Sequence, residues 1–137
     1  MSGTVRLAWL PHRVIQGECF RDFGPLLVRY FLLRLRRFAV YLHHLRRSDL
    51  DRHMHDHPWA FVSIVLWGSY LEHTPEGIRR RRFGSVVYRP AQWVHRLELA
   101  RPAWTLVIRF GRTRPWGFVT ENGWVAWERY QQIASCE

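Results

Sequence analysis

From Phe61 onward the chain is a succession of short apolar runs, each closed by a glycine, a proline or Asn-Gly. The runs are Phe61 to Trp67, Ser69 to His73, Arg80 to Phe83, Ser85 to Arg89, Val94 to Leu99, Trp104 to Phe110, Gly117 to Thr120 and Trp124 to Trp127. Many short strands at close spacing with turn residues between them predict an all-β sandwich or barrel. Asn122-Gly123, set between two aromatic-rich runs, is the clearest hairpin, and Gly68 marks a bend or bulge. Upstream, Phe38 to Leu45 reads as a strand from its β-branched and aromatic content. From Val28 to Arg37 the apolar residues are too dense to separate helix from strand by period. Ser48 to Asp51 is a turn, residues 1–24 form an arm or edge strand broken by Pro11, Gly17 and Gly24, and Glu128 to Ala134 is mildly helical.

A chain of 137 residues with 47% hydrophobic content and eight tryptophans can bury one sizeable core, and no linker or repeat divides it. One domain over residues 1–137 is expected. Cys19 and Cys136, near opposite ends, match incidental thiols more than a disulfide framework, so a reducing cytoplasm is the expected setting. The opening Met-Ser-Gly-Thr-Val-Arg lacks the apolar core of a signal peptide, and Arg29, Arg34, Arg36 and Arg37 interrupt the most apolar stretch, Leu26 to Leu45, so a soluble, unexported protein is expected. The formal charge is +10 and all 21 basic residues are arginine. The absence of lysine excludes Schiff-base chemistry and the phosphate-binding lysine of P-loop enzymes. The run Arg79 to Arg82 reads first as a solvated strand end. No nucleic-acid module is recognisable, so specific nucleic-acid binding is not expected.

The segment Arg52-His53-Met54-His55-Asp56-His57-Pro58-Trp59 carries three of the eight histidines. A strand through this row is expected to continue into Phe61 to Trp67, and on it His53, His55 and His57 would share a face. A one-sided row of imidazoles suits a divalent metal, but it also suits a solvated polar edge or hydrogen-bonded core histidines. Asp56 alternates away from the row, where a salt bridge or turn contact is expected.

Downstream, Gly84-Ser85-Val86-Val87-Tyr88-Arg89-Pro90-Ala91-Gln92-Trp93-Val94-His95 reads as glycine, strand, proline turn and histidine. Together the two segments resemble the paired motifs of the cupin superfamily, Gly-x5-His-x-His-x3,4-Glu-x6-Gly and Gly-x5-Pro-x-Gly-x2-His-x3-Asn. His55, His57 and Gly68 match the first motif, with Asp49 at the opening glycine and Phe61 at the glutamate. Gly84, Pro90 and His95 match the second, with Gln92 and Leu99 as departures. The resemblance covers residues 49–99, and the His-Asp-His-Pro-Trp segment also looks like a group of small bacterial and phage-associated cupins. It implies a double-stranded β-helix, that is, a jelly-roll barrel, with a possible short C-terminal helix.

It further implies one divalent ion held by His55, His57 and His95. The carboxylate that completes most metal cupin sites is replaced by Phe61, which leaves an open three-histidine face like that of the thiol dioxygenases, so Fe(II) is favoured over Zn, Ni or Mn. The expected function is oxygen-dependent oxidation of a small anionic or aromatic molecule. A non-redox isomerase or hydrolase and a non-catalytic ligand-binding cupin are the alternatives. His53 is expected as a fourth ligand or proton donor, and Glu72 and Tyr70 as polar groups whose direction the bulge near Gly68 obscures. Trp59, Phe61, Trp67, Trp93 and Trp104 are expected in the core. Arg109 is expected to point outward, or to bind a substrate carboxylate if it faces in. Of the adjacent pair His43 and His44 one must face in, and His44 is the candidate for supporting a ligand. A homodimer through the Leu26 to Leu45 stretch is expected, with a small molecule as the other partner.

Overall fold

The protein, seen in a computed structural model, is described over residues 10–15, 24–49 and 53–133. Cys19, Cys136, most of the N-terminal arm and the end of the Ser48 to Asp51 turn lie outside those residues. The elements in chain order are β1 (His12–Ile15), β2 (Leu27–Arg34), β3 (Phe38–Leu45), β4 (Met54–His55), β5 (Trp59–Trp67) and β6 (Ser69–Thr74). They continue with β7 (Gly77–Arg82), β8 (Val86–Arg89), β9 (Arg96–Glu98), β10 (Ala103–Arg112), β11 (Gly117–Thr120), β12 (Gly123–Ala126) and α1 (Trp127–Ile133).

Period-two alternation explains the main sheet. On β3, β5 and β10 the odd-numbered side chains turn inward, and Ala39, Tyr41, Leu45, Phe61, Val65, Ala103 and Val107 are buried there. The antiparallel order is β1-β2-β3-β10-β5-β8, with Val107 opposite both Tyr41 and Ser63. The dense stretch after Val28 is therefore strand. Pairing with β3, and not intrinsic propensity, decides it.

Two three-stranded sheets, β12-β11-β4 and β7-β6-β9, cover the inner face. A single antiparallel bridge between His55 and His95 joins β4 to the start of β9, so the two make one discontinuous sheet opposite the first. This is a double-stranded β-helix. Gly123 turns the β11–β12 hairpin at φ 97°, as Asn-Gly predicts. The expected tail helix is present as α1, and among the described residues no helix is long and apolar enough to cross a membrane.

One expectation fails at the centre of the argument. The strand through the histidine row does not run on into Phe61: β4 stops at His55, residues 56–58 are irregular, and β5 begins at Trp59. Pro58 has no N–H for a ladder, and the Asp56 carboxylate binds groups outside the strand pair. Strict alternation over residues 53–57 is thus lost.

Candidate metal centre

His55 donates its N–H to His95 O at 2.9 Å, and His95 returns its N–H to His55 O at 3.1 Å. Directly opposed residues of an antiparallel pair send their side chains to the same face. Both imidazoles therefore enter the barrel, with ring centroids 5.1 Å apart. His57 comes from the irregular link, where its N–H is fixed on Ala91 O at 2.9 Å. Its ring lies 5.2 Å from that of His55 and 4.9 Å from that of His95. One ring nitrogen from each of the three lies within 4.8 Å of the others. Nitrogens at ~2.1 Å from a shared ion are at most ~4.2 Å apart, so a small contraction turns the group into a ligand set.

The donor chemistry fits a cation. His57 Nδ1 is buried without a hydrogen-bond partner among the described residues, a desolvated polar atom that a bound ion would satisfy. Burial lowers the His55 pKa to about 4, with Asp49 opposing and His95 adding to the shift. Burial likewise holds His57 well below its ordinary value, helped by His95 and His55. Both are thus neutral at pH 7, the form that ligates metals.

Glu72 supports the cluster without joining it. It faces inward on β6, is 2% exposed, and accepts from His95 Nδ1 at 2.7 Å. Arg89 Nη2 at 2.7 Å, Arg81 Nε at 3.1 Å and Trp93 Nε1 at 3.3 Å complete its shell. Burial alone would raise its pKa, but the hydrogen bonds from His95 and Arg89 hold it far below the usual carboxylate range. A carboxylate on Nδ1 fixes the tautomer of His95 and leaves Nε2 to ligate. The acid missing at Phe61 thus reappears behind His95 as an orienting group.

Asp56 secures the opposite side. It is 2% exposed and accepts from Gly117 N at 2.7 Å, Trp124 Nε1 at 2.9 Å and Arg114 Nη1 at 3.0 Å. Gly117 also packs so closely on β12 that a Cβ there would run into Val125 O. One carboxylate thereby ties the β11–β12 hairpin to the backbone between His55 and His57.

The three histidines open on a cavity of about 160 Å³ whose wall includes Trp59, Phe61, Tyr70, Arg29 and His43. Phe61 stands 4.6 Å from the His57 ring, an apolar wall where the resemblance would place a ligand. Tyr70 is buried. Desolvation, then Glu72, raises its pKa, so the phenol keeps its proton. A larger open groove of about 1080 Å³, lined by Trp67, Phe83 and Trp104, contains none of the three histidines; the smaller cavity holds the chemistry.

Several expected residues fall elsewhere. His53 is apart from the triad, with Nδ1 3.1 Å from Tyr130 Oη and Nε2 3.2 Å from Glu121; it precedes β4, which begins at Met54, so strand parity does not set its direction. His43 faces in, whereas His44 lies on the outer face, stacked 4.1 Å from Trp104. Trp67 is 71% exposed, since it sits where β5 leaves the core at Gly68. Trp93 and Trp104 are half-buried, the first hydrogen-bonded to Glu72. Trp59 also is half-buried, packed against the core, and Phe61 belongs to the core as expected. Arg109 turns inward but bonds Tyr41 Oη at 2.8 Å and does not line the cavity. Within the arginine run only Arg81 reaches a buried acid, Glu72; its neighbours are exposed. Arg29 was the functional candidate that sequence reasoning passed over, because it sat among apolar residues of undecided structure.

No protein-family model matches the sequence, and no curated protein does either. The similarity lies in three dimensions. A sugar phosphate isomerase of the cupin superfamily from Silicibacter pomeroyi superposes with a TM-score of 0.61 over 87% of this chain and 88% of its own, at 16% identity. The chain has the cupin fold. A second cupin match, the DMSP lyase DddQ of Ruegeria pomeroyi, gives a TM-score of 0.61 at 21% identity. It covers 76% of this chain, which spans 57% of the lyase. A double-stranded β-helix protein of Klebsiella pneumoniae gives 0.54 at 14% identity. Identities this low carry the cupin architecture and leave the chemistry to the residues.

Proposed function

We propose that this cupin is a metal-dependent enzyme acting on a small molecule, with Fe(II) as the favoured ion, His55, His57 and His95 as its ligands, and oxygen as co-substrate. The observation that carries the reading is a cluster of three imidazoles converging at a small cavity whose acidic groups are already engaged. Glu72 is held by four donors, and Asp49 accepts the Leu97 N–H at 2.8 Å. A divalent ion held by three neutral ligands acts as a Lewis acid with positions open to water, oxygen or a chelating substrate. Phe61 and Trp59 keep water from that face, Glu72 fixes the His95 ring, and Tyr70 holds a proton at Oη beside the cavity. A reducing cytoplasm, which keeps iron ferrous, suits this reading. Anaerobically purified protein should carry about one ion per chain, the His57→Ala variant should lose it, and the iron form should consume oxygen in a substrate screen. Zinc, nickel or manganese with no oxygen uptake would move the assignment to a non-redox isomerase or hydrolase.

The partner proposed alongside is a second copy of the chain. The outer face of the main sheet presents Leu42, Leu106, Ile64 and Val86 in one row and Val40, Ile108, Val62 and Tyr88 in the next. Neither row has a charge, and Val86 and Tyr88 are 63% and 59% exposed. An uncharged apolar face on a chain of net charge +10 suits sheet-on-sheet pairing. Light scattering at micromolar concentration should give twice the chain mass, and Ile64→Glu should halve it.

A further inference from the structure

Three arginines line the cavity, and they are not equivalent. Arg89 is paired with Glu72 at 2.7 Å, and Arg47 donates to Gly24 O and Ser48 O. Arg29 has no carboxylate partner among the described residues. Its Nε donates to His43 Nε2 at 2.9 Å, and its guanidinium carbon lies 4.6 Å from the Tyr41 ring and 5.8 Å from the Trp59 ring. Among the described residues its two terminal nitrogens make no hydrogen bond.

The surrounding charge has the same sign. Arg13 lies opposite Arg29 in the β1–β2 register, and Arg109 holds the Tyr41 hydroxyl. Burial, together with Arg13 and Arg109, lowers the Arg29 pKa to about 10, against the attraction of Tyr41, so the group remains cationic at pH 7. Two guanidinium groups, those of Arg29 and Arg109, meet at Tyr41 with Arg13 across the register, and among the described residues no carboxylate pairs with Arg29. A largely desolvated cation without a counter-charge is costly to keep; an incoming anion supplies the missing partner.

The register also aims the group. Arg29 is paired with His43 across β2 and β3, so both side chains point inward. Burial holds the His43 pKa well below its ordinary value, so the ring is neutral and its Nε2 accepts. With Nε committed and the guanidinium carbon 4.6 Å from the Tyr41 ring, the pair of terminal N–H groups is left for a planar, two-oxygen acceptor.

The geometry points to Arg29 as the recognition group for a carboxylate on the substrate, held in place by His43 and Tyr41, with the substrate's other end at the three histidines. The placement of that other end rests on the metal reading; the carboxylate subsite does not. A volume of about 160 Å³ equals roughly five waters at their share of liquid volume. The fitting ligand is a short-chain carboxylic acid.

Calorimetric titration of the full chain, as purified and after chelator treatment, tests this with propanoate, butanoate, their amides and inorganic phosphate. Each acid should bind at least tenfold tighter than its amide. Arg29→Met should abolish that preference while metal content is unchanged, and Arg29→Lys should restore part of it. Equal binding of acid and amide to the unmodified protein overturns the assignment, whatever the variants do. So does an Arg29→Met protein, folded by circular dichroism, that keeps the preference, or phosphate binding tighter than either acid. Should His57→Ala retain the preference for acids in a protein that never held metal, the metal reading fails and the subsite stands.

Discussion

Two buried carboxylates flank the histidine cluster, built alike and used differently. Each has an arginine and a tryptophan indole among its donors. Asp56 also takes the backbone N–H of Gly117, so what it positions is chain: the hairpin against the link that carries His57. Glu72 takes an imidazole, so what it positions is a single ring, that of the proposed ligand His95. The same acid chemistry gives architecture on one side of the cluster and ligand tuning on the other.

That contrast is open to direct attack. The largest effect should come from Asp56→Ala, which strands the Gly117 N–H and the Trp124 indole. Loss of one partner of a buried network costs about 3–5 kcal/mol, and denaturant unfolding would reveal it as a strong fall in midpoint. Glu72→Gln should act mainly on the ion, lowering metal affinity about 10- to 100-fold in competition with a chelator, with less lost stability than Asp56→Ala. If Asp56→Asn stays folded and weakens metal binding as much as Glu72→Gln does, the division of labour fails.

A middle-sized effect is set by pH. His43 is kept neutral when folded, by burial and then by Arg29, whereas the unfolded chain protonates it below about pH 6.5. The unfolded state therefore binds more protons, and stability is lost as pH falls from 7 toward 5. Replacing His43 with Asn should flatten that slope in metal-free protein, measured by urea unfolding at each pH. The smallest effect is expected from Trp124→Phe, which keeps the ring and drops one hydrogen bond to Asp56, a loss of about 1 kcal/mol.

The strands from Phe61 onward were legible because alternation and turn residues act locally. The grouping of His55, His57 and His95, the proposed ligands, was legible through spacing to Gly68 and Gly84. What could not be read depended on where alternation breaks. Gly68, at φ 80°, separates β5 from β6, so nothing upstream fixes the direction of Glu72; its position against His95 is a contact across 23 residues. His53 falls outside the cluster for the converse reason, since alternation holds only within β4, which begins at Met54. Arg109 drew attention because it stood out within a clean strand. Arg29, embedded in leucines, gave no local contrast, and only the β2–β3 pairing shows that it looks inward beside His43.

The lone bridge between His55 and His95 has a kinetic meaning. It is the only pairing among the described residues that connects β4 to β9, and it brings together positions forty residues apart, a closure that loop entropy disfavours until other contacts form. Two of the three proposed ligands are the two residues of that bridge. Barrel closure and assembly of the ligand set are then one event, and an ion bound to the closed form would slow its reopening, so that the lifetime of the folded chain would depend on metal supply.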